Sequence, residues 1–276
     1  MRRSLGYHLY ACGKAGMPGQ LNINGTMYLR KRVFKHDFFA ATGVYECNGT
    51  PASTGFPRRM VLKLGRRQNF LGLPMRWLGR VTTERELANL RRVSGIAGVP
   101  KVVAGYGRTG FVYEYIEGCS LDDSSDIPEG FFDELREILD QVHRRNVVYL
   151  DMNKRGNILI GKDGRPHLID FQISMHISNE ATAALKLMDR VLKALQNCDI
   201  YHLFKHKRRL CPEELTPEEK ELSYHVSGHI RLHRKLTRPL TNLRRALLKT
   251  LFAKKFLVRH TDVHYSPEND PARFLK

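Results

Sequence analysis

The chain has 276 residues, 42% of them hydrophobic, which is long and apolar enough to bury a full core in one domain or two lobes without covalent help. Its five cysteines (Cys12, Cys47, Cys119, Cys198, Cys211) are scattered, odd in number and form no C-x-x-C pair, which excludes a disulfide framework and a structural zinc site as default readings and points to a reducing compartment. The net charge of +18 is uneven: residues 1–80 hold 14 Lys/Arg and 2 acids, residues 81–200 hold 15 and 18, and residues 201–276 hold 17 and 8, so basic ends suited to an anionic partner, or simply to solvent, flank a middle that is not basic.

Residues 1–27 are rich in Gly, Asn and small side chains and read as a loosely ordered lead-in. The apolar part of this N-terminus is short and broken by Gly6 and His8, poor for a signal peptide, and nowhere do 18 apolar residues run together. These features favour a cytoplasmic protein, with a peripheral place on the inner membrane face as an option. From Met27 the pattern turns to strands: MYLRKRVF, GVYEC and RMVLKLG, separated by KHDFFAAT and by the Gly- and Pro-bearing loop NGTPASTGFP. Small residues at 40–43 in the first connection could let backbone N–H groups approach phosphates, with the Thr42 hydroxyl alongside; a plain β-turn explains them equally well.

The stretch GRRQNFLGLPMRWLGR at 65–80 combines Phe70, Leu73 and the only tryptophan, Trp77, with Arg66, Arg67, Arg76 and Arg80. It could cover its own lobe or lie in a membrane interface. ERELANLRRVSG then has helical spacing, with Thr82 and Thr83 as N-cap candidates and Leu87, Leu90 and Val93 on one stripe. GVPKVV and FVYEYIEG supply two more strands, and a helix is expected from Ile127-Pro128-Glu129 through FFDELREILDQVHRRN, with His143 near its C-terminus.

The chemistry concentrates in VVYLDMNKRGNILIGKDGRPHLIDFQIS, Val147 to Ser174. Three short apolar runs carry Asp151, Asn157 and Asp170 at their ends, and Lys162-Asp163-Gly164-Arg165 is a turn signal with Gly where φ > 0 is expected. Two carboxylates and an amide are hard oxygen ligands of the kind Mg²⁺ takes beside nucleotide phosphates, and a carboxylate held off the metal can position an attacking hydroxyl.

This segment resembles the catalytic and metal-binding loops of the protein-kinase-like superfamily: H-R-D-x-x-x-x-N and D-F-G appear as Tyr149-Leu150-Asp151, then Asn157, then Asp170-Phe171-Gln172. Tyr149-Leu150 replaces His-Arg, the gap to Asn157 is one residue longer, and Gln172 replaces Gly, departures that point to a divergent branch such as bacterial kinase-like proteins and lipopolysaccharide-core sugar kinases. The resemblance implies an α+β fold of two lobes, a small antiparallel β-rich lobe at 28–117 with an insertion at 65–80, and a mainly helical lobe at 118–276 carrying the catalytic loops. It implies that Asp151 orients the acceptor hydroxyl and takes its proton, that Asn157 and Asp170 hold Mg²⁺, and that Lys63 of MVLK binds ATP phosphates, fixed by Glu86, with Glu84 as the alternative. Glu114 and Ile116 would offer backbone groups to adenine, with Tyr113 behind the base.

Beyond Gln172 no A-P-E follows, and Asn179 to Leu195 reads as one amphipathic helix. Asp199 resembles the superfamily's buried aspartate that braces the catalytic loop, though a helix cap would also suit it. Thr216 with Glu219 is a capping box, and RLHRKLTRPLTNLRRALLKTLFAKKFLVRH is basic and amphipathic, suited to core packing first and to a membrane or partner face second. The sequence therefore reads as an ATP- and Mg²⁺-dependent kinase acting on a hydroxyl, either protein Ser/Thr or a sugar or glycolipid. The rival is a pseudokinase scaffold that binds nucleotide or an anionic partner. A nucleic-acid partner rests on charge alone and lacks a motif.

Overall fold

A computed structural model of the chain describes residues 5–47, 55–70, 72–177, 185–224 and 250. The fold is α+β and its described residues up to Tyr224 pack as two compact units, one holding the chain up to Leu87 with Lys101–Tyr115, the other holding Ala88–Pro100 and residues 116–224. The boundary thus falls just before the expected Gly118, and residues 88–100 belong to the second unit. No helix among the described residues is long and apolar enough to cross a membrane.

The first unit is an antiparallel sheet. Its strands are β1 (Gln20–Ile23), β2 (Thr26–His36), β3 (Ala40–Cys47) and β4 (Arg59–Gly65), then, after helix α1 (Arg76–Arg92), β5 (Val102–Gly105) and β6 (Gly110–Glu114), in the order β1-β2-β3-β4-β6-β5. Alternation sorts each strand's side chains onto two faces. Ala41, Tyr45, Met60, Leu62, Leu64 and Val112 form a core on one face, and the N-terminal Ala11, Cys12, Met17, Leu21 and Ile23 pack into it. The described part of the expected lead-in is therefore structural: its apolar residues follow no period, yet together they cover one side of the sheet. The β1–β2 hairpin turns at Asn24-Gly25, with φ of 47° and 86°, the doubly positive geometry that an Asn-Gly pair favours.

Helix α1 begins at Arg76, inside the expected insertion, so Thr82 and Thr83 are interior residues and not caps. Thr82 Oγ1 donates to the Leu78 carbonyl (2.8 Å) and Thr83 Oγ1 to the Thr109 carbonyl (3.3 Å). A Cβ on Gly79 would overlap the Arg66 backbone, and one on Gly65 the Thr83 hydroxyl, so two glycines let the helix lie directly against the end of β4. Arg66 itself is fully buried. It donates to the carbonyls of Phe38 (2.8 Å) and His8, with its guanidinium 3.9 Å from the Phe38 ring centre, and burial pulls its pKa down. Arg67 donates to Thr109 Oγ1 (2.8 Å). Two arginines of the 65–80 stretch are thus internal fasteners, as the covering alternative requires.

The second unit holds β7 (Gly118–Ser120), α2 (Phe131–Arg144), β8 (Val147–Val148), β9 (Ile158–Gly161), β10 (Pro166–Leu168), β11 (Met175–His176), α3 (Leu185–Leu210) and α4 (Pro217–Tyr224). Helix α2 starts later than Ile127 because Gly130, at φ 71°, breaks the helical path, and its apolar stripe Phe131, Phe132, Leu135, Ile138, Leu139 and Val142 is buried as the spacing predicts. The described helix α3 begins at Leu185 and runs on to Leu210, so Asp199 is mid-helix and no cap. The Thr216 box is formed: Thr216 N donates to Glu219 Oε2 (3.0 Å) and Glu219 N to Thr216 Oγ1 (3.2 Å). Lys207, 2% exposed at its side chain, ties α4 to α2 through Glu219 (3.0 Å) and Asp133 (2.7 Å). Apart from residue 250, the basic amphipathic stretch at 231–260 lies outside the described residues, as do the loop residues 48–54.

Candidate active site

In the first unit, Leu62 and Leu64 face the core, so Lys63 emerges on the opposite side of β4. There its Nζ lies 2.7 Å from Glu86 Oε1 of α1, with both side chains buried at 6% and 4% exposure. Glu84 instead pairs in solvent with Arg80 at 2.7 Å, so Glu86 is the partner. A buried pair of this kind gains little net stability, because desolvation offsets the attraction; what it fixes is where the ammonium points.

Thr42 differs from expectation. It belongs to β3, directly opposite Lys63, so its side chain shares the lysine's face. The turn is only residues 37–39, and Asp37 Oδ1 accepts from the amides of Phe39 (2.8 Å) and Ala40 (2.9 Å). Residues 40–43 sit in a strand flanked by β2 and β4, whose ladders use their backbone groups. A phosphate cradle at this position is therefore replaced by a turn that the Asp37 carboxylate already caps; Lys35 and those two amides draw the Asp37 pKa down against the effect of burial. Glu114 ends β6, and its amide donates to the Lys101 carbonyl (2.9 Å), which commits that group. The Phe34 and Tyr115 rings lie nearly parallel at 12°, centres 6.2 Å apart. Ile116 follows, half-buried, where the chain returns to the second unit.

In the second unit, β9 and β10 pair with Leu168 opposite Ile158, and the Ile169 amide donates to the Asn157 carbonyl (3.0 Å), so Asn157 and the residue before Asp170 meet at one end of the hairpin. Gly164 turns the other end at φ 79°. Asp151 is 6% exposed. Its Oδ2 accepts from Asn157 Nδ2 (2.7 Å) and from Lys154 Nζ (2.6 Å). With its amide nitrogen used on Asp151, Asn157 keeps its amide oxygen, and that oxygen and the half-buried Asp170 carboxylate are the donors able to hold Mg²⁺.

The loop is held in an uncommon conformation. Leu150 has φ 64° and Asp170 φ 61°, left-handed values that cost a non-glycine residue about 1–3 kcal/mol. Asp199, 1% exposed, meets the first with two bonds: Oδ2 accepts from the Tyr149 amide and Oδ1 from the Leu150 amide, both at 2.8 Å. Charge-assisted bonds contribute roughly 1.5–3 kcal/mol each, enough to offset the strain at Leu150. His143 Nε2 lies 3.1 Å from Asp199 Oδ2, so this histidine is a partner of the brace and more than a dipole-favoured helix end. Burial pushes the Asp199 pKa up, while His143 and the two amides pull it down.

The departures from the kinase pattern have local explanations. Tyr149 packs edge-on against Phe171 (5.0 Å), donates its hydroxyl to the Ile169 carbonyl and accepts at its own carbonyl from Ser174 Oγ (2.9 Å), whose carbonyl in turn accepts from Asn89 Nδ2 (2.8 Å). Gln172 is tolerated where the pattern has Gly because the left-handed residue is Asp170 and not position 172. The longer loop is fastened from α3: His206 Nε2 donates to the Met152 carbonyl (3.0 Å), and Lys205 Nζ donates to Asn153 Oδ1. Lys154, Lys205, His206 and Ser174 are site residues that motif reading missed. Lys154 alone left a trace in the sequence, as a cation three residues after the key carboxylate.

No protein-family model matches the sequence, and no curated protein matches it. Among solved structures the chain is similar to a Rio2 kinase–ADP/Mg²⁺–phosphoaspartate complex from Chaetomium thermophilum, with TM-score 0.46 and 16% identity over 75% of this chain and 65% of that one. It is also similar to another Rio2 kinase structure from the same organism, with TM-score 0.45 and 15% identity over 69% and 60% of the two chains. The chain spans less than two thirds of the length of either.

Proposed function

We propose that this protein is an ATP-dependent, Mg²⁺-assisted phosphotransferase of the protein-kinase-like type, acting on a hydroxyl. The observation that carries the reading is the Asp151–Asn157 bond of 2.7 Å on a loop whose left-handed Leu150 is braced by Asp199. A strained, doubly anchored carboxylate beside an amide oxygen suits a group that must stay in place while charge moves near it. Asp151 orients the acceptor hydroxyl and receives its proton. Lys154 and Asn157 hold one oxygen of that carboxylate, which leaves Oδ1 as the atom for the hydroxyl. Asn157 and Asp170 hold Mg²⁺, which when bound neutralises phosphate charge. Lys63, aimed by Glu86, binds nucleotide phosphates, with Thr42 beside it on the same face.

The acceptor follows the sequence-level choice between a protein Ser/Thr and a sugar or glycolipid hydroxyl, such as a lipopolysaccharide core. The absence of A-P-E favours the sugar or glycolipid. A second reading, a nucleotide-binding scaffold with weak chemistry, draws on the Asp37-capped turn and the committed Glu114 amide, both of which remove groups that would hold a nucleotide. One incubation separates them: γ-labelled ATP and Mg²⁺ with a membrane-lipid fraction and, separately, a protein fraction. Label in lipid or in protein names the acceptor class. ATP binding without transfer to either, under conditions where a control kinase transfers, supports the scaffold.

A further inference from the structure

We propose that the outward face of α1 and the chain just before it dock on an anionic lipid bilayer through Leu73, Trp77 and Val81. These are among the most exposed large apolar residues described, at 61%, 61% and 52% exposure. Trp77 and Val81 are one helical turn apart, and Thr83, Glu86 and Leu90, which are buried, mark the opposite face of α1. The apolar pair therefore points away from the sheet that the helix covers, and Leu73 adds to it from the preceding turn, which the Phe70–Leu73 bridge fixes.

The charge around this face selects the partner. Arg76 adjoins Trp77 on the helix and is exposed, Arg80 beside Val81 is exposed but shares its charge with Glu84 at 2.7 Å, and Arg85 lies one further turn along. No acidic residue occurs between Glu46 and Glu84. Three apolar side chains are too few for the roughly 800 Å² per partner of a stable protein interface. They suffice for shallow insertion at a bilayer surface, where a tryptophan and flanking aliphatics enter the headgroup region and each nearby arginine adds its attraction to anionic lipid. Arg66 and Arg67 take no part, being turned inward.

Trp77 is the only tryptophan in the chain, so its emission reports on this face alone. The test titrates the full chain with phosphatidylglycerol vesicles and, in parallel, with phosphatidylcholine vesicles, reading Trp77 emission and cosedimentation. The expected result is a shift to shorter wavelength with phosphatidylglycerol only, weakening as salt shortens the screening length from about 10 Å at 0.1 M to about 3 Å at 1 M. Arg76→Gln lowers partitioning about fivefold at low salt, the effect of one charge near an anionic surface. Leu73→Ser with Val81→Ser, at exposed positions the fold does not need, keeps the reporter and weakens binding. An unchanged Trp77 spectrum with phosphatidylglycerol overturns the proposal. So does a shift that follows protein concentration without lipid, which marks self-association, or cosedimentation of the Leu73/Val81 variant equal to that of the parent. Since the readout needs no nucleotide, its failure leaves the phosphotransferase reading standing.

Discussion

Two lysine–carboxylate pairs of almost the same length do different work in this protein. Lys63–Glu86, at 2.7 Å, has both side chains buried; Lys154–Asp151, at 2.6 Å, has the lysine 40% and the aspartate 8% exposed. Distance alone would rank them together. Burial separates them: the first pair lies away from solvent, where a charge depends on protein partners, whereas in the second, water and Asn157 share the task. The first pair is therefore a matter of structure and direction, and the second a matter of how a reactive carboxylate is held.

Five variants put pressure on that contrast. Glu86→Ala is expected to cost about 3–5 kcal/mol of unfolding free energy, measured by denaturant titration, because it takes the paired carboxylate from a buried ammonium. The double change Lys63→Met with Glu86→Leu should recover most of that stability yet leave nucleotide binding weak; recovered ATP affinity would show that Lys63 is purely structural. Asp199→Asn should cost about 1.5–3 kcal/mol, since an amide can accept from only one of the Tyr149 and Leu150 N–H groups and turns a donor toward the other.

His206 gives the next effect. Burial, helped by Lys205, depresses its pKa from 6.5 to about 3, so the folded protein keeps it neutral where the unfolded chain takes up a proton. Its contribution is fully present above pH 6.5 and is lost as pH falls toward 3, at up to about 1.4 kcal/mol per pH unit. His206→Gln, which can still donate to Met152, should flatten that part of the stability–pH curve; an unchanged slope would assign acid sensitivity elsewhere. The smallest stability effect belongs to Lys154→Ala, within about 1 kcal/mol, as befits a part-exposed pair. If Lys154→Ala destabilised as much as Glu86→Ala, the contrast drawn from burial would fail.

What the sequence made legible was the gathering of candidate polar groups near strand ends. Asp151, Asn157 and Asp170 were readable because alternating apolar runs, a Gly-bearing turn and hard-oxygen ligands occur in one stretch, and Lys63 because it interrupts a strand between leucines. Thr42 was read as a turn residue because small side chains at 40–43 look the same in a turn and in a crowded central strand. The role of residues 10–23 was hidden because their apolar side chains follow no period, although Asn24-Gly25 carried an open hairpin signal that could have anchored β1. Pro74, two residues before Arg76, was the corresponding signal for the early start of α1. No local pattern could show that Arg66 is buried while Arg76 is exposed, since the carbonyls that hold Arg66, those of Phe38 and His8, come from far along the chain.

The assignment of Asp151 is the centre of this account, and it is tested most directly by comparing γ-phosphoryl transfer and ATP binding in the parent and in Asp151→Asn. Transfer should fall by roughly 10²-fold or more while ATP affinity stays nearly unchanged, because this carboxylate acts on the reacting hydroxyl and not on the bound nucleotide. Equal turnover in the two proteins, with ATP binding intact, would contradict it.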